Sequence, residues 1–360
     1  MEQKLWYKGH GSIPGRGTAM NPTGRFEKLA LDLEGFEDEP GQAAPETRYL
    51  KDSSRSILSS NDSPDVGFRF SANPYRGCEH GCAYCYARPT HEYLGLSAGL
   101  DFESVIMVKT AAPALLRREL SRPGYRCEPI LFSGVTDCYQ RAERALKLTR
   151  GCLEVLLECR HPVGLITKSA LVTRDLDLLS GLAALGCATV CLTVTTLDAS
   201  LSALLEPRAA PPQARLSAIR TLARAGVPVG VNVAPVIPGL TDHEIPSILQ
   251  AARDAGARGA GAVMLRLPYG VKDLFSDWLG QHFPDRKDKV LGLIRAVRDG
   301  ALNEASFGSR MRGQGPYADQ IWRLFEAARR KAGFPEGWPG LSTRHFRRPG
   351  GQQLDLLPEG

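Results

Sequence analysis

From about residue 66 the chain alternates short apolar runs rich in β-branched residues with longer stretches in which apolar positions recur every three or four residues. The short runs, 67–75, 129–136, 163–168, 189–196, 227–236 and 261–267, predict six strands. The stretches 112–120, 140–158, 173–185, 212–225 and 242–255 carry helical spacing, and Gly186, Gly226 and Gly256 stand where left-handed C-caps belong. Strand and helix alternating through short links imply right-handed crossovers and a parallel sheet. Six such units can roll into a partial (βα)6 barrel, although a flat doubly wound sheet satisfies the same pattern. In a barrel the chemistry gathers at the C-terminal ends of the strands, so the polar residues closing each run become the candidates.

The flanks read differently. Residues 1–50 are rich in Gly, Pro, Asp and Glu without periodicity, which predicts an irregular arm. Two more helices are expected near 285–298 and 317–332, followed by a Pro/Gly/Arg-rich tail from 335. The predicted organisation of this α/β chain is an irregular N-terminal arm (1–65), a partial barrel (66–285) and a C-terminal helical extension with a basic tail (286–360).

Composition narrows the class. With 360 residues, 43% hydrophobic and 23% charged, the chain can bury an ordinary core and needs no disulfide staples. Its 9 cysteines are too sparse for a secreted disulfide scaffold, and MEQKLWYKGH at the start lacks the apolar core of a signal peptide, so a reducing cytoplasm is expected. No stretch approaches the ~20 apolar residues of a membrane span; even 227–240 is interrupted by Pro228, Asn232, Pro235 and Pro238. The net charge is +6, and residues 284–360 hold 14 Lys/Arg against 9 Asp/Glu. That excess permits a polyanionic partner such as DNA or another nucleic acid, and equally a solvated basic surface.

The sharpest signal follows the first strand: Asn73-Pro-Tyr-Arg-Gly-Cys78-Glu-His-Gly-Cys82-Ala-Tyr-Cys85-Tyr86 places three cysteines in a C-x3-C-x2-C loop. Thiolates this close in sequence can wrap one small metal centre, and Gly77 and Gly81 give the loop backbone freedom. A structural zinc site wants a fourth ligand, for which His80 is available, whereas three thiolates suit a [4Fe-4S] cluster with one iron left open.

This loop, with Tyr84 before the last cysteine and at the end of the first strand of a (βα)6 pattern, resembles the radical S-adenosylmethionine superfamily. Tyrosines on both sides of Cys85 are similar to its spore photoproduct lyase group of DNA repair enzymes. The resemblance covers about residues 66–285. It implies that Cys78, Cys82 and Cys85 hold three irons while the amino and carboxylate groups of S-adenosylmethionine chelate the fourth. It also implies that an electron from a donor such as flavodoxin or ferredoxin cleaves the sulfonium to a 5′-deoxyadenosyl radical, which takes hydrogen from the substrate.

The same resemblance assigns the strand ends. Thr136 and Asp137 fall where the group binds the amino end of S-adenosylmethionine, although an acid after a strand is often a helix cap. Lys168 falls at the position of the carboxylate partner, a role its point charge suits. Thr195 is a candidate for the ribose or methionyl group, although threonine also reflects strand propensity. Arg208 is a candidate carboxylate clamp, Asn232 lies in the segment that packs on adenine, and Tyr84 joins this cofactor-binding set.

Of the other cysteines, Cys127, Cys152, Cys159, Cys187 and Cys191 read as small buried hydrophobes. Cys138 follows Asp137 at the expected mouth, where a thiol can return a hydrogen atom. The spore enzyme's donor cysteine lies two positions before the hydroxyl-acid pair, and Gly134 stands there in this chain. Cys138 or Tyr86 then takes that role, or the substrate differs. Two substrate classes follow: nucleic acid gripped by the arginines around 310–312, 329–331 and 344–348, or a protein, peptide or small metabolite. Arg266 to Trp278 mixes basic and aromatic residues as an entrance would, while Phe275 and Trp278 also suit a helix core. A non-enzymatic iron-sulfur or zinc protein would leave the strand-end residues accidental.

Overall fold

All six apolar runs form strands in the computed structural model, which describes residues 12–27 and 45–350. Ten strands occur among them: β1 (Arg48–Lys51), β2 (Leu58–Ser60), β3 (Phe70–Ala72), β4 (Tyr75–Arg76), β5 (Val105–Val108), β6 (Ile130–Phe132), β7 (Val163–Thr167), β8 (Ala188–Thr193), β9 (Val229–Val236) and β10 (Gly259–Met264). The main sheet runs β10-β9-β8-β7-β6-β3-β2, its first six strands parallel and β2 antiparallel at the edge. The parallel strands neighbour one another in chain order, as the partial (βα)6 barrel requires, and no pairing closes β10 onto β2 among the described residues.

Alternate residues of each strand face the helices. Ile130 and Phe132, Val163 and Leu165, Val190 and Leu192, and Val229, Val231 and Val233 bury themselves in one core with Leu156, Leu182, Leu222 and Leu249 from the crossover helices. A second core sits at the C-terminal ends of the strands. There Cys82, Ala83 and Tyr84 of the cysteine loop pack with Leu205, Ile237, Leu265 and the helices Val271–His282 and Pro284–Ala296. Phe275 and Trp278 belong to it, their rings stacked at 5.6 Å, so they are core contacts and not an entrance lining.

Three departures from the pattern have local causes. The helix expected over 140–158 is two, Glu143–Leu146 and Leu148–Glu158, because Lys147 turns left-handed at φ 51°. The helix Val271–His282 lies inside a segment whose aromatic and basic residues obscure its period. A second sheet, β1-β5-β4, was not expected, since β1 is exposed along its length and β4 spans two residues.

The tail covers the opposite end of the barrel from the cysteine loop. Ser342 N–H donates to Gly186 O at 2.9 Å and Arg347 N–H to Cys159 O at 2.9 Å, just ahead of β8 and β7. Phe346 meets His161 edge-on at 5.3 Å, and Trp338 lies against Gly230 and Gly259 at the starts of β9 and β10. A Cβ on Gly230 would stand 2.1 Å from the Trp338 ring. Gly230→Ala is therefore expected to lower stability by about 1–3 kcal/mol, and Trp338→Ala in the same chain to recover part of the loss. Urea melts of the two variants and the double variant check this, and additive losses would contradict it.

Candidate functional site

The loop from Gly77 to Arg88 has few ladder hydrogen bonds, so buried side chains fix it. Arg88 donates through Nε and Nη2 to Cys82 O at 3.0 and 2.9 Å, through Nη1 to Ala98 O and Gly99 O, and through Nη2 to Glu103 Oε1. Glu103 Oε2 in turn accepts Gly17 N–H at 3.0 Å. The arm segment carrying Gly17 lies so tightly on the loop that a Cβ there would be 1.6 Å from Gly81 O. On the other side Gln140 accepts Glu79 N–H at 2.9 Å, and Asn73 Nδ2 donates to Thr136 Oγ1 at 2.6 Å while Thr136 donates to Tyr75 O at 2.8 Å.

These restraints bring the three thiols together. Cys85 packs against the group containing Cys78 and Phe102 and against the group containing Cys82 and Tyr84. Burial pushes all three thiols up, and Cys78 is raised further by Asp137, Cys82 and Cys85. Backbone N–H groups of Asp137 on Cys78, and of Ala87 and Arg88 on Cys85, act in the opposite sense. Such a nest favours thiolate only when a metal supplies the positive charge. Among the described residues no three His, Cys, Asp or Glu side chains converge on a single ion, whose thiolate ligands at ~2.3 Å would stand about 3.8 Å apart. His80 lies against Asp137, Nδ1 to Oδ2 at 3.4 Å, and among the described residues no side chain completes a zinc set. Three thiols without a fourth partner fit a [4Fe-4S] cluster with one open iron.

Asp137 joins the loop to the strand ends. Its carboxylate accepts Thr167 Oγ1 at 2.7 Å, Lys168 N–H at 2.8 Å and Tyr139 N–H at 2.8 Å, the last being the local cap expected of an acid after a strand. Lys168 Nζ lies 3.9 Å from Glu206 Oε1 and 5.8 Å from the Tyr84 ring centroid. Thr195 Oγ1 stands 2.6 Å from Glu206 Oε1 and 2.9 Å from Ala234 O, with one proton to give to either acceptor, and the Tyr84 hydroxyl donates to Glu206. The structure thus gathers Tyr84, Asp137, Lys168 and Thr195 around the loop. Thr136 spends its hydroxyl inside the fold on Tyr75 O.

Sequence reading missed the acid at the centre of this group. Glu206 is buried; burial opposes its charge, but Arg215 and Lys168 outweigh that and hold it at about 2. Arg215 pairs with Glu206 and donates to Thr193 O at 3.0 Å and Ala210 O at 2.6 Å. The signal lay in Glu206 directly before Pro207, with Arg215 about two helical turns on, but nothing local marks those residues as buried. Arg208 is placed elsewhere: its Nη1 donates to Thr47 Oγ1 at 3.3 Å, so its guanidinium faces the arm. Asn232 stands mid-strand beside Gly261, two residues short of Ala234.

At the mouth, Tyr86 is 47% exposed and its hydroxyl donates to Gly134 O at 2.7 Å. Cys138 is not there. It is fully buried in the main core, its N–H on Ser133 Oγ and its carbonyl on Thr149 Oγ1, because the chain turns inward after Asp137. The basic segments also divide. Arg310 is on the mouth side, near Arg266, whereas Arg347 and Arg348 donate to the carbonyls of Glu158 and Pro123 at the far end and Arg329 pairs with Glu326. The expected grip by residues 344–348 at the mouth is thereby corrected.

The arm's contact is testable. Gly17→Ala, which cannot fit against Gly81 O, is expected to cost about 1–3 kcal/mol and to speed bleaching of the reconstituted cluster's visible absorbance in air. Gly24→Ala, whose added Cβ would meet only the Glu27 side chain at 3.4 Å, serves as control and should change neither.

Comparison with known proteins identifies the family. The profile of the Radical SAM superfamily matches residues 72–252. An uncharacterised protein of Mycobacterium tuberculosis strain H37Rv is 38% identical over 230 residues, 63% of this chain and 68% of that protein. One from Methanocaldococcus jannaschii is 30% identical over 178 residues, 49% of this chain and 64% of that protein. Spore photoproduct lyase complexed with dinucleoside spore photoproduct superposes with a TM-score of 0.57 at 14% identity, covering 79% of each chain. A mutant of that enzyme with bound AdoMet and the dinucleoside gives 0.53 at 15% identity, over 79% of this chain and 77% of that one. These likenesses show the fold. With the profile spanning half of the sequence and including all three loop cysteines, the chain belongs to the radical SAM superfamily, whose cofactors are a [4Fe-4S] cluster and S-adenosylmethionine.

Proposed function

We propose that the protein acts on nucleic acid as a DNA repair enzyme of the photoproduct lyase kind, fed with electrons by a flavodoxin or ferredoxin. The observation that carries this reading is the mouth itself, where exposed aromatic rings from separate elements stand with arginines beside the cysteine loop. Aromatic rings stack on bases and guanidinium groups meet phosphates. Structures of the spore photoproduct lyase, which carries its dinucleoside lesion, share the fold and lend this reading support.

The cluster and S-adenosylmethionine together supply a 5′-deoxyadenosyl radical. Cys78, Cys82 and Cys85 would hold the cluster. Asp137 and Lys168, with Tyr84 and Thr195 beside them, offer one anionic and one cationic group for the zwitterionic end of S-adenosylmethionine. Thr136 would contribute by tying the loop to β6, Asn232 by lining the barrel interior, and Arg208 through its backbone on His80 O at 3.2 Å. Tyr86 is proposed as the hydrogen donor to the substrate radical, since its hydroxyl rests on Gly134, the position that lacks the spore enzyme's cysteine; the tyrosyl radical left behind takes one electron from the flavodoxin or ferredoxin and one proton from solvent. Cys138, buried in the core, is not suited to that step.

Anaerobically reconstituted, dithionite-reduced protein is expected to release 5′-deoxyadenosine from S-adenosylmethionine, and Cys82→Ala to release none. Absence of the nucleoside from fully iron-loaded protein would overturn the enzyme reading. Thymine-photoproduct DNA labelled with deuterium should pass label to the deoxyadenosine; if it gives neither label nor repair, the photoproduct lyase assignment falls and the radical chemistry stands. In D2O, repair by the unmutated protein should place one solvent deuteron in the product. Tyr86→Phe should still cleave S-adenosylmethionine but lower the yield of repaired product per deoxyadenosine at least tenfold.

A further inference from the structure

Arg266, two residues beyond β10, is a half-buried cation at the mouth with no ion-pair partner among the described residues. Its Nη1 meets only the Met311 sulfur, at 3.7 Å, and its buried Nε finds no hydrogen-bond partner among the described residues. The adjacent carboxylate, Asp65, is taken by Arg310 and by Gly308 N–H at 2.6 Å. Burial, and then the neighbouring Arg310, both work against the Arg266 charge. A cation kept in this position is short of one anion. Its guanidinium lies 5.6 Å from the centroid of Tyr86, the ring that also touches Gly134 at the strand end.

Three residues along the same loop, Tyr269 is 57% exposed and carries the Arg25 guanidinium over its ring at 3.6 Å. Arg25 is held there by Glu92 at 2.5 Å. Tyr93 and Phe26, their rings 5.1 Å apart, flank the same guanidinium and are both more than half exposed. The arm, the turn after the cysteine loop and the loop after β10 therefore contribute aromatic rings and a guanidinium to one exposed rim, on the loop that also carries Arg266.

We infer that this rim is a subsite for an unpaired nucleotide: Arg266 takes a backbone phosphate, and the neighbouring base stacks on the Tyr269–Arg25 layer. A base stacked on protein has left its own duplex stack, so the subsite selects single-stranded or extruded nucleotides over intact duplex. The inference rests on the nucleic-acid reading above and adds the residues and the strand state that reading leaves open.

Fluorescence anisotropy with a labelled decathymidylate, its duplex with decaadenylate and an acidic peptide of equal charge, each with the full reconstituted chain, tests it. The single strand should bind at least tenfold tighter than duplex or peptide. Arg266→Gln should weaken that binding about tenfold and reduce the slope of log affinity against log salt by roughly 0.7, the value for one phosphate contact on a single strand. Tyr269→Ala should weaken it comparably with the slope unchanged. Far-ultraviolet circular dichroism and melting temperature confirm that both variants fold. If the unmutated protein binds the strand and both variants bind it equally well, the subsite is wrong while the nucleic-acid reading stands. If the unmutated protein binds neither strand nor duplex at low salt, or prefers the peptide, that reading fails and takes the subsite with it.

Discussion

Everything at the catalytic end depends on one buried guanidinium. Arg88 is fully enclosed, and its five N–H groups meet the carbonyls of Cys82, Ala98 and Gly99 and the carboxylate of Glu103. Arginine has five donors in a fixed plane, so one side chain can fix three points of irregular backbone at once. Lysine, with three donors on a flexible stem, cannot reproduce that geometry. Enclosing a charge is costly unless every donor is met, and losing one partner of a buried pair costs about 3–5 kcal/mol. The loop bearing the cysteines is thus rigid because its alternatives would strand a buried cation.

A second constraint follows from the thiols. Burial disfavours all three thiolates, with Asp137 adding to it at Cys78 and Glu206 at Cys82, while Lys168, Arg215, Arg88 and backbone N–H groups act in the opposite sense. Free cysteines in that nest stay protonated, and cluster insertion must release their protons as the metal arrives. Glu206 meets the same conditions with the opposite result, since Arg215 touches it directly while the thiols feel their cations at a distance. Its low affinity for a proton gives Lys168 a fixed negative neighbour throughout the neutral range. The ammonium is therefore held beside Tyr84 and Thr195 without needing a bound ligand to position it.

How far the sequence reveals this depends on the range of the interactions. The six strands of the barrel were legible because each buries alternate residues against helices, and that burial leaves a local apolar signature. The cysteine loop was legible because its ligands are neighbours in sequence. Glu206–Arg215, Arg88–Glu103 and Gly17 on Gly81 were not, since each joins residues whose partners are set only by the folded chain. Cys138 shows the converse error: adjacency to Asp137 suggested the mouth, but one residue along a tightening turn is enough to exchange solvent for core. The arm looked featureless for a related reason. Gly17 contributes backbone, not side chain, so its contact leaves no hydrophobic pattern to read.

The C-terminal arginines show why net charge alone could not locate a nucleic-acid surface. Arg347 and Arg348 spend their donors on the carbonyls of Glu158 and Pro123, where the basic tail caps helix and loop ends beneath the sheet. The Arg347 charge therefore sits at the C-terminal end of the helix Leu148–Glu158, where a cation is favourable, and Arg348 ties down a loop. At the mouth the count is smaller but its character differs, because Arg310 is paired with Asp65 whereas Arg266 beside it has no acid partner among the described residues. Two adjacent guanidinium groups with one carboxylate, already paired to Arg310, leave a net positive charge there. It is this local imbalance, and not the overall excess of +6, that makes this part of the mouth cationic.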